Sequence, residues 1–125
     1  MSTERQYNLV RDAEGWLTAT ATVINSTVGP VHTVSIDIPA VAGFVTQLGG
    51  FFLTQTTGSG GGTPTVKVVA GAFVLDQDTF VVGTPKRVPY TIPLPGVAGT
   101  TLSIRANAAD ITAANLTAIY RRIPL

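Results

Sequence analysis

His32 is the only histidine among the 125 residues, and the chain has no cysteine. A metal centre or catalytic triad that draws on several imidazoles or thiolates therefore has no ligands within one chain. Three copies of His32 would meet only in a three-fold assembly, so a structural or surface histidine is the expectation. Asp76 and Asp78 have the spacing that opens a calcium-binding EF-hand loop. That loop's central glycine position is Val81 and its closing glutamate position is Arg87, so a capped turn is expected instead. The glycines of Gly58-Ser-Gly-Gly-Gly62 are followed by Thr63-Pro64 and a strand-forming run, whereas a phosphate loop needs a helix there. They read as a flexible hairpin tip.

Arg121-Arg122 is a basic pair in a strand-forming run. Adjacent side chains on a strand point to opposite faces, so the two cannot clasp one phosphate, and an ion-paired or interface role is expected. Asn25-Ser-Thr27 and Asn115-Leu-Thr117 match the glycosylation acceptor pattern, which is idle without secretion. No nucleophile elbow or paired-carboxylate spacing singles out any Ser, Asp or Glu. The expectation is a protein without catalytic residues, cofactor or metal. The residues that invite attention are instead partner-binding candidates: Tyr7, Leu9 and Val10 within a charged start, and Trp16 at the head of the first clear strand. Trp16 would plug a core end, stack on a sugar or anchor a partner, with the core plug favoured.

The elements that position these residues are strands. Met1 to Gly15 carries Glu4, Arg5, Arg11, Asp12 and Glu14 and reads as an arm, mobile in isolation and ordered on a partner, with a short edge strand around Tyr7 to Val10 as the other possibility. Trp16 to Ile24 sets Thr18, Thr20 and Thr22 on one face and Leu17, Ala19, Ala21 and Val23 on the other. Val31 to Ile38 alternates His32, Val34, Ile36 and Ile38 with Val31, Thr33, Ser35 and Asp37. Ala40 to Gln47 is open between loop and strand, and Gly49-Gly50 precedes a strand over Phe51 to Thr56. Thr65 to Ala70 and Ala72 to Leu75 follow, divided at Gly71 by a bulge or bend. Asp76-Gln-Asp78 is expected to turn the chain into Thr79 to Val82. Pro89, Pro93 and Pro95 make Arg87 to Pro95 an edge strand or an extended segment, because each proline deletes a ladder donor. Thr101 to Ala106 and Leu116 to Ile123 read as a closing antiparallel pair joined by a loop over Asn107 to Asn115.

Seven to nine short strands with regular turn signals predict an all-β chain: an antiparallel two-sheet β-sandwich, jelly-roll-like or immunoglobulin-like. The length suits one domain, 16–125, behind the arm 1–15. Val, Ile and Thr make up about a third of the residues and charged residues only 12%. A net charge of +1 gives no footprint for nucleic acid. The polar start lacks the apolar core of a signal peptide, and no apolar run reaches the length of a membrane span, so synthesis in a cytoplasm and no membrane partner are expected. So little charge favours a surface buried against partners. Phe51-Phe52, Phe73, and Phe80 to Val82 lie in apolar runs that place side chains on both faces of a strand, which predicts a homo-oligomer, with a trimer preferred.

In layout the chain resembles small bacteriophage capsid decoration, or cement, proteins. The features that carry the likeness are the arm Met1 to Gly15, the threonine-alternating strand Trp16 to Ile24, the loop Gly58 to Gly62, and the segments Thr101 to Ala106 and Leu116 to Ile123. The resemblance implies a jelly-roll-like fold, often trimeric, that binds the major capsid protein and stabilises the shell on the virion surface without catalysis. The alternative is a carbohydrate- or receptor-binding β-sandwich of a phage tail or fibre. That reading needs exposed aromatics around a groove with acidic or amide groups, and Trp16, Tyr90 and Tyr120 are not visibly clustered in the sequence. A cupin-like enzyme ranks last for want of histidines.

Overall fold

A computed structural model describes residues 16–23, 31–57, 64–111 and 113–125. Eight strands follow one another: β1 (Leu17–Val23), β2 (Val31–Ile38), β3 (Phe44–Thr57), β4 (Thr65–Ala70), β5 (Phe73–Thr79), β6 (Lys86–Pro95), β7 (Leu102–Ile111) and β8 (Ala113–Pro124). They form two four-stranded antiparallel sheets, ordered β1-β8-β3-β6 and β2-β7-β4-β5. Each crossing from one sheet to the other generates the interleaved order of a jelly roll. The all-β sandwich expected from the alternating pattern is the fold observed.

The period-two pattern does the sorting. Val34, Ile36 and Ile38 of β2, Val66, Val68 and Ala70 of β4, and Leu102, Ile104 and Ala106 of β7 point inward from one sheet. Leu48, Phe51 and Leu53 of β3 and Ala114, Leu116 and Ala118 of β8 meet them from the other. Burying each large aliphatic among these stabilises the fold by about 2 kcal/mol relative to leaving it in water. The polar positions between them stay on the outer faces.

Several local expectations are corrected. β7 and β8 are not partners: β7 pairs with β2 and β4, while β8 pairs with β1 and β3 in the opposite sheet. The expected loop over Asn107 to Asn115 is taken up by the ends of these two strands. Weak intrinsic preference is overridden there by ladder partners: Asn107 pairs with Thr33 and Thr65, and Asn115 with Thr22 and Thr54. β3 begins at Phe44, so Gly49-Gly50 lies within the strand, where the pairing register shifts against both neighbours. Asp76 and Asp78 lie inside edge strand β5 rather than in a turn, and β5 ends at Thr79. Both carboxylates lie on the inward side of this edge strand, paired with Val68 and Val66, and reach Tyr90 and Lys86 of the other sheet. Gly71 opens a two-residue turn between the paired Ala70 and Phe73, with a φ of 60° that glycine adopts without strain. The proline-rich β6 is an edge strand, as its missing donors require.

Candidate functional site

The outer face of the β1-β8-β3-β6 sheet carries the chain's most distinctive arrangement. Trp16 lies one step beyond the Leu17–Tyr120 pair, which sets it beside Arg121 on the neighbouring strand, and Arg121 is in turn paired with Gln47 of β3. The side chains follow that register. The Arg121 guanidinium lies 4.5 Å from the centre of the Trp16 ring, and its Nε donates to Gln47 Oε1 at 3.0 Å. A stacked guanidinium is held by the ring's negative face, and the amide fixes its orientation.

Four residues further along β8, Thr117 pairs with Phe52, and Phe52 pairs with Arg87 of β6. The Arg87 guanidinium sits 5.7 Å from the centre of the Phe52 ring. Two arginine–aromatic stacks therefore stand on one sheet face, one towards each end. Neither guanidinium is paired with a carboxylate among the described residues.

Between the stacks the face is hollowed. One depression of about 250 Å³ is lined by Gly49, Gly50, Phe52, Arg87, Pro89 and Thr117, among others, and an adjoining one of about 280 Å³ by Trp16, Gly49, Tyr90, Thr91, Pro93 and Ile119. Gly49 and Ile119 belong to both, so the two form one shallow trench. The glycine pair makes room for it. A Cβ on Gly49 would come within 2.6 Å of Trp16 Cζ3, and one on Gly50 within 2.8 Å of the Val88 carbonyl oxygen. The indole therefore occupies space that only glycine leaves, and β6 approaches β3 where no side chain intervenes.

Tyr90 connects this face to the other sheet. Its ring packs at 6.4 Å from that of Phe51, and its hydroxyl donates to Asp76 Oδ2 of β5 at 2.6 Å. Burial first, and then the hydrogen bond to Asp76, push its pKa above the ordinary phenol value. Alongside, Lys86 Nζ pairs with Asp78 Oδ2 at 2.7 Å. Asp78 is held below the usual carboxylate range by that lysine and then by the Thr79 N–H.

Trp16 is the one partner-binding candidate that falls among the described residues; Tyr7, Leu9 and Val10, with the rest of the arm, lie outside them. So do Gly58 to Gly62 and the Asn25 acceptor site. Trp16 is half-buried on an outer sheet face, which corrects the core-plug expectation. Its neighbour in the trench, Tyr90, was not visibly clustered with it in the sequence, because only the β1-β8-β3-β6 order draws their segments together. Nothing in the local sequence marks Arg87, Phe52 and Gln47 as site residues except Gly49-Gly50 within an apolar run. Arg121 and Arg122 do point to opposite faces. Arg122 Nη2 donates to the Pro39 carbonyl at 3.1 Å instead of joining the trench. Tyr120 lies beneath Arg122, away from Trp16. Asn115 sits within a central strand, unlike the exposed loop that a glycan acceptor occupies. Among the described residues no three His, Cys, Asp or Glu side chains converge as metal ligands.

No family model matches the chain, and no curated protein matches it. Among solved structures it is similar to part of dimeric latent PorU from Porphyromonas gingivalis, at 13% identity and a TM-score of 0.46. The match covers 89% of this chain but only 13% of PorU. It is also similar to the carbohydrate-binding module CBM36 solved with calcium and xylotriose, at 14% identity over 82% of this chain and 78% of that one, with a TM-score of 0.36. A CBM36-1 domain of a multidomain xylanase from the hindgut metagenome of Trinervitermes trinervoides matches at 10% identity over 87% of this chain and 98% of that one, with a TM-score of 0.38. Similarity this distant says nothing of shared activity.

Proposed function

We propose that this protein is a non-catalytic glycan-binding β-sandwich whose ligand lies along the trench on the β1-β8-β3-β6 face. The observation that carries this reading is one open depression beside Trp16 that continues past Gly49 and Ile119 to Phe52 and Arg87. A sugar ring offers an apolar C–H face and a rim of hydroxyls. Aromatic side chains accept the first, while amide, hydroxyl and guanidinium groups such as those of Gln47, Thr91, Thr117 and the two arginines serve the second. An open trench suits a chain of sugars better than a single ring. Trp16 is the only tryptophan, so its emission reports occupancy directly. Titration with oligosaccharides should change that emission, and calorimetry on Trp16→Ala should show binding weakened tenfold or more, equivalent to about 1.4 kcal/mol. A broad glycan array on which the protein binds nothing would remove the reading.

A second reading, decoration of a phage capsid shell by a self-associating protein, is supported by apolar side chains along the β5–β6 side of the sandwich. Phe73 is 66% exposed, Val81 66% and Ile92 84%. Apolar area of this kind is worth roughly 25 cal/mol per Å² when covered. Light scattering showing a trimer, together with co-sedimentation with purified shells, is the outcome this second reading requires. A monomer that stays in the supernatant counts against it.

A further inference from the structure

We infer that the trench selects acidic glycans, specifically uronate-containing chains whose carboxylates are taken by Arg121 and Arg87. This rests on the glycan-binding reading and extends it to a ligand class. Three observations converge on it.

The first is the distribution of charge between the sheets. Asp37, Asp76 and Asp78, the carboxylates whose side chains are described, all belong to β2 and β5 of the opposite sheet. The trench face presents Arg87 and Arg121 without an acidic side chain among its described residues. Lys86 on the same sheet is already committed to Asp78, and Arg122 to the Pro39 carbonyl. Among the described residues, Arg87 and Arg121 stand on this face without an acidic partner.

The second is the state of the two guanidiniums. Arg121 uses Nε on Gln47 and holds its guanidinium over the Trp16 ring, which leaves its terminal N–H groups without a partner among the described residues. Arg87 rests on Phe52 and makes no hydrogen bond to any described residue. A guanidinium held over an aromatic ring, with its terminal N–H groups free of partners among the described residues, is preorganised for the two oxygens of a carboxylate.

The third is spacing. The paired rows that contain Arg121 and Arg87 are four residues apart along β8, about 13 Å at the rise of an extended strand. The arginines also stand on strands separated by β3. A single sugar acid does not reach both, whereas an extended chain with repeated carboxylates lying along the trench does. Between the arginines such a chain meets Trp16, Ile119 and Phe52, which suit the apolar faces of its rings.

The test titrates the full chain with oligogalacturonate, with the same oligomer methyl-esterified so that its carboxylates are neutral, and with neutral xylan oligomers. Calorimetry is the readout, at low and at physiological salt. The expected result is at least tenfold tighter binding of the free acid than of its ester, weakening as salt rises. Arg87→Gln should reduce that preference severalfold, weakening binding of the free acid far more than binding of the ester. Arg87→Lys should recover part of it, because charge is retained without the fork. Arg87 is exposed, so its variants are expected to keep the wild-type melting temperature, and Arg121→Gln serves as the second variant. Equal binding of acid and ester overturns the inference while leaving the glycan reading in place. Binding of none of the three, with an empty array, removes the glycan reading itself. Single-stranded DNA bound as tightly as the uronate chain, with the same arginine dependence, also overturns the inference, since the face would then be a general polyanion surface.

Discussion

Gly49 is the residue on which the geometry of the trench turns. Its missing side chain is the space that Trp16 occupies, at 2.6 Å from where a Cβ would stand. Gly49→Ala should therefore displace the indole, shift its emission towards that of solvent-exposed tryptophan and weaken ligand binding. The accompanying destabilisation, read from urea melts, should be about 1 to 3 kcal/mol, the range of an overpacked contact. Tyr90 answers to pH. Its raised pKa means that its contribution to stability is complete below the ordinary phenol value of about 10 and is lost as pH rises through the higher folded value. Tyr90→Phe should cost about 2 kcal/mol at pH 7, because a hydrogen bond to a charged carboxylate is removed. Wild-type protein should lose stability faster than this variant between pH 9 and pH 12, and parallel curves for the two proteins would contradict the role given to the phenol.

At the scale of elements, the open edges β5 and β6 are joined across the sandwich by Tyr90–Asp76 and Lys86–Asp78. The two contacts are unequal. The lysine pair is largely exposed, so water and salt screen it, and Lys86→Ala should leave thermal stability nearly unchanged at physiological salt. Asp78, with its pKa lowered, adds to stability above the ordinary carboxylate range and gives this up as pH falls through the lowered value. Asp78→Asn should therefore flatten the acid side of the stability curve slightly, as acid titration of both proteins would reveal. The central strands are another matter. Leu53 and Leu116 are fully buried and directly paired between β3 and β8, so either alanine variant should cost about 3 kcal/mol in chemical denaturation.

For the whole molecule, the order of the sheets sets how it folds. β8 lies between β1 and β3, so strands from the two ends of the described chain are neighbours, and β7 similarly lies between β2 and β4. These pairings close long loops before contacts compensate the lost entropy, and refolding should take milliseconds to seconds rather than microseconds. Removing residues 113–125 strips a central strand from one sheet. That truncation should abolish the cooperative transition seen by circular dichroism, whereas loss of an edge would only weaken it.

Much of this was legible in the residues themselves. Alternation at Leu102, Ile104 and Ala106, at Val34, Ile36 and Ile38, and at Thr18, Thr20 and Thr22 marked strands and told which side of each is dry, because a strand's faces follow from a local period of two. Pro89, Pro93 and Pro95 marked an edge because a missing N–H is a property of the residue wherever it lies. Partnership is not local in this way. That β7 and β8 part into opposite sheets, that Gly49-Gly50 sits inside a strand, and that Trp16, Gln47, Arg87 and Arg121 share one face depend on which ladders close together. That choice minimises exposed backbone and apolar area over the entire chain, and no short window of sequence contains it.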